Sequence, residues 1–387
     1  MILENNDQAL RVLFGAYWHT QAVLELANEL ANRHSLFYIT TPKSLALVQI
    51  NNESDFFCPR INVRIERDVK LKNPLYTIDR FVGFWKAVHQ HKCNIIHIQE
   101  TADPMMISML LMQKKLPIVL TVHDPVPHTG EVDFMRYYRS RKPLMDALRA
   151  RADMIIVHGE NVKRDLIKAY PNLDPERISV VLHGAINVYN SLKKPEYKEK
   201  SGNLLFFGRI NEYKGLGVLM EAWKRIREEC PNAHLVVAGT GPDLDNYRTE
   251  LQADDRIELD ERFISPEEVA RHYAEASIVV LPYNDATQSG VALIAIGFGK
   301  PVIVTNTGGL PEIVDDGVSG LVVPPKDPAA VAEAVIRLLK DDALRESMAQ
   351  GAETLRHTRL GWDTLAKQTE QVYYKAIAHR NQINSSK

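Results

Sequence analysis

The sequence has few cysteines and no long apolar run. Its 387 residues include only three cysteines, Cys58, Cys93 and Cys230, which lie far apart and in no metal-ligand spacing. We therefore expect reduced thiols, and neither a disulfide framework nor a zinc site. The longest nearly apolar stretch, around Met105–Met112, is far shorter than the ~18 residues that cross a bilayer. The start MILENNDQAL lacks a basic segment followed by an apolar one, so the sequence predicts a cytoplasmic protein without a signal peptide.

An excess of charge of one sign is also absent. The net charge is −2 at pH 7, from 47 Lys+Arg against 49 Asp+Glu. A nucleic-acid-binding protein usually has a strongly basic surface, so this class is excluded. Hydrophobic residues make up 45% and charged residues 25%, as in globular proteins. The length predicts two or three domains.

Short apolar runs alternate with amphipathic stretches along the whole chain. The predicted strands are Arg11–Gly15, Ser35–Thr40, Ile95–Gln99, Ile118–Val122, Met154–His158, Leu204–Phe207, His234–Ala238, Ile278–Leu281 and Val302–Thr305. The predicted helices include Gln21–Arg33, Thr77–Gln90, Leu216–Glu229, Pro266–Ala276, Ala329–Lys340 and Trp362–His379. Apolar strands that each precede a helix indicate parallel α/β sheets covered on both faces.

The chain divides into two similar halves at a polar segment. Lys193–Ser201, with the sequence KKPEYKEKS, has a proline and no apolar periodicity, which is typical of a linker. We therefore predict one domain at 1–190 and a second at 191–362. Ligands of such sheets bind at the carboxyl ends of the strands, so we expect a cleft between the two halves.

Two cations follow the strand at 204–207. The sequence GRINEYKG at 208–215 places Arg209 and Lys214 five residues apart, just after Gly208. Such a pair at the end of a strand can neutralise a diphosphate, although loop cations are usually solvated. Further along, Ser289, Gly290 and Val291 lie at a predicted loop-to-helix junction, where free N–H groups favour an anion. Together these features predict a site for a nucleoside diphosphate.

Several side chains at strand ends are further candidates. His123 follows the strand at 118–122, at its carboxyl end, where ligands of such sheets bind; the alternative is a backbone cap. Trp18 and His19, after the first strand, could contact an acceptor or a phosphate; the alternative is a loop histidine without a function. Glu100 is either an acceptor contact or a helix cap. His97, inside a strand, is interpreted as a core residue.

Two other motifs have weaker functional interpretations. GTGP at 239–242 lacks the full dinucleotide pattern, so it does not indicate NAD and is interpreted as a tight turn near the nucleotide. Arg136–Arg151 is rich in arginine with interleaved tyrosines, which suggests either a helix that lies on a membrane or an ordinary solvated face.

With these motifs in view, the chain resembles the family-4 retaining glycosyltransferases of the GT-B fold. The resemblance covers nearly the whole length and is strongest from Leu204 to Pro325, including GRINEYKG, VVAGTGPDLDNYR and GKPVIVTNTGGLPEIVDDGVSGLVVPPKDP. It implies two Rossmann-like domains that face each other across a cleft, with the C-terminal helix, 363–387, packing back on the first domain.

The resemblance also implies roles for individual residues. Arg209 and Lys214 would hold the donor diphosphate, and His123 would lie next to the donor sugar. The backbone of Phe263 and Ile264 would recognise the base. The full set of implied donor-binding positions is Gly15, Ala16, Gly208, Gly239, Phe263, Ile264, Thr287, Gln288, Ser289, Gly290 and Val291.

The sequence departs from the family at two places. Where the family has two glutamates seven residues apart, this chain has Ala286 and Ile294, and neither can accept a hydrogen bond; Asp285, Thr287 or Gln288 could substitute at the sugar. The usual double glycine of the first loop is replaced near Tyr17 and Trp18.

The predicted function is retaining transfer of a hexose to a glycan or lipid-linked saccharide in bacterial exopolysaccharide or envelope assembly. UDP-glucose is the favoured donor and GDP-mannose the main competitor. No cofactor or metal is predicted, and the enzyme could associate peripherally with the inner face of the cytoplasmic membrane. The alternatives are a nucleotide-sugar epimerase and a sugar-nucleotide-binding subunit that has lost catalysis.

Overall fold

The computed structural model describes residues 9–17, 20–46, 57–66, 74–125 and 132–386. The chain forms two compact units. Unit 1 contains Met1–Val181 and Leu365–Lys387, and unit 2 contains Leu182–Thr364. The division comes before the predicted boundary at 190/191. The predicted linker at 193–201 lies inside unit 2, where Lys200 Nζ pairs with Glu275 Oε2 at 2.9 Å.

Unit 1 is built on a parallel sheet of seven strands in the order β3-β2-β1-β4-β5-β6-β7. The central strands β4, β5 and β6 are buried along their whole length, as continuous apolar runs require. The strands are β1 (Arg11–Gly15), β2 (Ser35–Thr40), β3 (Asn62–Ile65), β4 (Ile95–Gln99), β5 (Ile118–Thr121), β6 (Met154–Val157) and β7 (Ile178–Val180). The helices are α1 (Thr20–Ala31), α2 (Pro42–Ala46), α3 (Pro74–Gln90), α4 (Pro104–Met112), α5 (Val132–Arg151) and α6 (Glu160–Ala169).

Unit 2 has a parallel sheet of six strands in the order β10-β9-β8-β11-β12-β13. The strands are β8 (Asn203–Phe207), β9 (His234–Ala238), β10 (Ile257–Asp260), β11 (Ile278–Leu281), β12 (Val302–Thr305) and β13 (Gly320–Val323). The helices are α7 (Leu216–Glu229), α8 (Arg248–Ala253), α9 (Pro266–Glu275), α10 (Gly290–Gly297), α11 (Leu310–Ile313), α12 (Pro328–Lys340) and α13 (Asp342–His357). The prediction of two parallel α/β domains is confirmed.

The C-terminal helix α14 (Trp362–Ser385) returns to unit 1, as predicted. Tyr373 Oη lies 2.7 Å from His97 Nδ1, and Arg380 Nη2 donates to the buried Asp153 at 2.9 Å. His97 is fully buried between Tyr373 and Thr121, and burial together with His158 lowers its pKa to about 3. His97 is therefore a neutral core residue, which confirms its interpretation.

The order of the strands reverses at one point in each sheet. In unit 1 the chain leaves β1 in one direction and continues from β4 in the other, and in unit 2 the same happens between β8 and β11. The crevice at the carboxyl ends of two such strands is where open α/β sheets bind ligands. A ligand is therefore expected at the loops that follow β1, β4, β8 and β11. Among the described helices, none is long and apolar enough to cross a bilayer.

Candidate functional site

At the switch point of unit 2, three parts of the chain converge on Gly208. This residue directly follows β8 and has φ +107°, a conformation that favours glycine. A Cβ built on Gly208 would lie 2.8 Å from Lys214 Nζ and 3.3 Å from Val291 Cγ2. Because Gly208 has no side chain, the ammonium group of Lys214 can occupy this space. The sequence predicted these positions separately, and the structure brings them together.

Lys214 is a buried cation without an acidic partner. It ends a short 3₁₀ turn, Glu212–Lys214, and only 7% of the residue is exposed. Within the described part of the chain, no carboxylate forms an ion pair with it. Burial lowers its pKa; the effect of Tyr213, which is smaller than that of burial, opposes this shift, and the still smaller effect of Arg209 adds to it. Its Nζ lies 5.5 Å from the centre of the Tyr283 ring. An anion at this position would compensate the buried charge.

The N-terminus of α10 lies beside this cation. The helix begins at Gly290, and Ser289 caps it by accepting a hydrogen bond from the Ala292 amide at 3.2 Å. The predicted loop-to-helix junction is therefore present. Because Val291 and Lys214 Nζ both border Gly208, the first turn of α10 adds its N–H groups and positive dipole end to the same place.

The loop after β9 packs against the loop after β8. Gly208 N donates to Ala238 O at 2.9 Å. Gly239 has φ +135°, and a Cβ there would lie only 2.0 Å from Gly208 O. A side chain at Gly239 would push the Gly208 loop out of place, so this tight turn is needed for the position of Lys214.

The segment before α10 is held by its backbone. Gly309 N donates to Thr287 O at 3.0 Å, and Thr287 and Gln288 are partly buried. Ala286 and Ile294 are buried to 6% and 7% exposure, so apolar side chains fill the two positions where the family has glutamates. Asp285 is exposed at the same loop.

An exposed aromatic side chain follows the carboxyl end of β10. Phe263 is 71% exposed, whereas the next residue, Ile264, is buried. Arg262 donates to Asp260 at 2.6 Å and to Glu268 at 2.8 Å, which ties the strand end to α9. Phe263 therefore lies between two elements that Arg262 links.

In unit 1, His123 lies at the carboxyl end of β5. Its Nε2 is 2.9 Å from Gln99 Oε1, which is a hydrogen-bonding distance. Its ring centre is 4.8 Å from that of His158, whose Nδ1 donates to Val181 O at 2.8 Å. Sequence reasoning missed Gln99 and His158, although both stand at strand ends next to His123.

The other unit 1 candidates have different outcomes. Both oxygens of Glu100 accept from the fully buried Arg149, at 2.6 and 3.0 Å, and burial raises the pKa of Glu100 although Arg149 opposes the shift. Its carboxylate is thus held by a structural partner. Gly15 and Ala16 end β1 at the switch point, where Ala16 N donates to Ile39 O at 2.9 Å. Trp18 and His19 lie outside the described residues.

The predicted basic helix corresponds to α5, but its last turn does not present charge to the surface. Arg149 is completely buried. Arg151 donates to Asp153 at 3.2 Å and to Gln113 O at 2.7 Å. These two cations contribute nothing to a membrane-facing surface, and contact with a membrane stays a prediction.

Comparisons with known proteins identify the class. Residues 20–185 match the family model described as Glycosyltransferase Family 4, and residues 201–341 match the model Glycosyl transferases group 1. The chain thus contains one region that matches each of two glycosyltransferase family models.

Individual relatives agree with this assignment. The chain is 34% identical over 251 residues to the D-inositol 3-phosphate glycosyltransferase of Corynebacterium glutamicum (strain R), and the match covers 59% of each protein. It thus spans less than two thirds of that relative. HepE of Anabaena in complex with UDP-glucose has a TM-score of 0.69 at 16% identity, covering 94% of this chain and 99% of HepE. Sucrose-phosphate synthase of Thermosynechococcus elongatus has a TM-score of 0.68 at 19% identity, covering 95% of this chain and 99% of the synthase. At these identities, the structural likeness shows the GT-B fold.

Proposed function

We propose that the protein transfers a hexose, with retention, from a nucleoside diphosphate sugar to a glycan or lipid-linked saccharide, without a metal. UDP-glucose is the proposed donor. The UDP-glucose complex of HepE supports a sugar nucleotide substrate, and the name of the inositol-phosphate relative supports glycosyl transfer. By its resemblance to the family, we place the enzyme in bacterial polysaccharide assembly.

The observation that carries this proposal is the unpaired ammonium of Lys214. A buried cation without a counter-charge is costly, and it is kept where an anionic ligand compensates it. Arg209, exposed on the same loop, adds a second permanent charge, and the first turn of α10 adds N–H donors. A diphosphate is an anion of the size and charge that this arrangement fits.

The same groups would stabilise the leaving group. As the bond between C1 of the sugar and the diphosphate oxygen breaks, its electron pair passes to that oxygen, beside Lys214 and Arg209. The acceptor hydroxyl oxygen forms the new bond to C1 on the same face, and its proton passes to the diphosphate. Charge stabilisation of this kind is often the largest catalytic contribution in enzymes. His123 is proposed to hydrogen-bond the donor sugar.

The nucleoside would extend along the edge of the sheet. Phe263 follows β10, which lies two strands from β8. Neighbouring strands are about 4.8 Å apart, so the base and the diphosphate would be separated by roughly 10 Å along this edge. That distance suits a nucleoside, and both UDP and GDP satisfy it.

The test uses two matched substitutions in unit 2. Arg209→Ala is expected to lower the release of UDP from UDP-glucose by about 10²–10³, while Lys300→Met, which removes a buried lysine from its pair with Glu199, leaves release unchanged. A panel of UDP and GDP sugars identifies the donor. Interconversion of the sugar would instead support an epimerase, and binding without turnover would support a subunit that has lost catalysis. Unchanged turnover in Arg209→Ala would contradict the proposal.

A further inference from the structure

A buried network of charges lies at the carboxyl edge of the unit 1 sheet. Arg80, on α3, is 2% exposed, and its Nε donates to Glu66 Oε2 at 2.8 Å. Glu66 directly follows β3 and is also 2% exposed. The same carboxylate oxygen accepts a hydrogen bond from the hydroxyl of Tyr17 at 3.3 Å. Three elements distant in sequence therefore meet at one buried carboxylate.

Arg80 extends the network to the next loop. Its Nη1 donates to Asp103 Oδ2 at 2.8 Å. The other oxygen of Asp103 caps α4 by accepting from the Met105 amide at 2.9 Å. Because Asp103 lies in the loop after β4, one guanidinium joins the loops that follow β3 and β4.

Tyr17 carries this connection to the switch point. It follows Gly15 and Ala16 at the end of β1, and its side chain is buried. The Arg80 guanidinium lies 6.0 Å from the centre of its ring. Its backbone carbonyl accepts a hydrogen bond from Ser44 Oγ at 2.6 Å. The loop after β1 is thus held through both the side chain and the backbone of Tyr17.

We propose that Arg80 is a positioning residue for the substrate loop of unit 1. Through Glu66 and Tyr17 it fixes the backbone of Gly15 and Ala16, which lie at the switch point of the unit 1 sheet, where open α/β sheets bind ligands. A small residue at position 17 would leave the loop backbone without a side-chain contact. Tyr17 instead connects the loop to Glu66 and, through it, to Arg80. The proposal rests on the proposed function for its catalytic consequence, but not for its structural one.

The structural test is hydrogen–deuterium exchange on the full chain. In Arg80→Met, the peptide that covers residues 10–17 is expected to exchange at least about tenfold faster, because the loop loses its buried anchor. Tyr17→Phe, which removes only the hydroxyl, is expected to give a smaller acceleration of the same peptide. The matched control is Arg33→Met, which removes another arginine of unit 1 from its 3.1 Å pair with Glu370 and is expected to leave this peptide unchanged.

The catalytic test compares binding with turnover. Stabilisation of the protein by UDP, measured by thermal shift, should be unchanged in Arg80→Met, because the proposed diphosphate site lies in unit 2. Release of UDP from UDP-glucose should fall about tenfold, since a loop displaced by a fraction of an ångström loses alignment. Arg80→Lys, which retains the charge, should recover part of that loss.

The outcomes separate the two proposals. Unchanged exchange in a folded Arg80→Met protein would overturn the positioning role. If Arg80→Met does not fold, unchanged exchange in Tyr17→Phe decides against it. If the wild-type protein shows no stabilisation by any nucleoside diphosphate, the proposed function fails, while the exchange comparison still decides the role of Arg80.

Discussion

The two switch points differ in how they use buried charge. In unit 1, Glu66, Glu100 and Asp103 each face an arginine, either Arg80 or Arg149, at hydrogen-bonding distance. In unit 2, Lys214 is buried and faces no acidic group among the described residues. The paired charges hold loops together, whereas an unpaired charge is suited to a ligand. Both units have the same kind of parallel sheet, so the difference lies in the loops and not in the fold.

The largest effect is expected where a pair in unit 1 is broken. Glu100→Leu leaves the guanidinium of Arg149 buried without its counter-charge. Removing one partner of a buried pair costs about 3–5 kcal/mol, so the free energy of unfolding of unit 1 should fall by that amount. Urea unfolding followed by hydrogen exchange at the amides of β4 to β6 measures it.

The control for this substitution is Glu100→Gln, which retains one side-chain oxygen as an acceptor for Arg149. Its free energy of unfolding should therefore fall by less. Stabilisation by UDP should persist in both variants. A loss of UDP binding with unchanged stability would instead give Glu100 a role in substrate binding.

In unit 2, the corresponding substitution should remove activity and not stability. Lys214→Met is expected to lower the turnover of UDP-glucose by about 10²–10³, the usual effect of losing one group that stabilises a developing negative charge. The double variant with Arg209→Ala should lose less than the product of the two single losses, because both cations act on one leaving group. If the loss of turnover in the double variant equals the product of the two single losses, Lys214 and Arg209 act independently.

The same substitution should stabilise the protein without ligand. Lys214→Met replaces an unpaired buried ammonium by an apolar side chain of similar length, which should raise the free energy of unfolding by about 1–2 kcal/mol. Lys300→Met is the contrast, since Lys300 Nζ donates to Glu199 at 2.7 Å and its loss should not stabilise. Thermal unfolding without nucleotide measures both, and a destabilised Lys214→Met protein would show that the lysine has a structural role.

The fold was predictable where strands lie inside the sheets. The bounds of β4 and β9 agree with the prediction, because a strand buried on both faces is a continuous apolar run. The four strands that the sequence did not predict, β3, β7, β10 and β13, are the edges of the two sheets. β3 and β10 are largely half-exposed, so their mixed side chains give no apolar run.

The candidate site was predictable where its parts are close in sequence. Arg209 and Lys214 share one loop, so their spacing and the preceding strand indicated a site. By contrast, Tyr17, Glu66 and Arg80 come from three separate elements, and no local pattern tells which arginine meets which carboxylate. Contacts of this kind depend on the tertiary fold, which only the structure supplies.

The smallest effect, and the most specific to Lys214, concerns pH. Since burial lowers the pKa of Lys214 in the free protein and a bound diphosphate favours its charged form, binding should be constant near neutral pH and weaken as pH rises through the lowered pKa. The weakening should begin below the range expected of an ordinary lysine, whose pKa is about 10.4. Isothermal titration with UDP from neutral to alkaline pH measures it. Lys214→Arg stays charged throughout this range, so any weakening that remains in that variant comes from the ligand or from other groups. If wild type and Lys214→Arg lose affinity in parallel, Lys214 does not carry the proton that UDP binding requires.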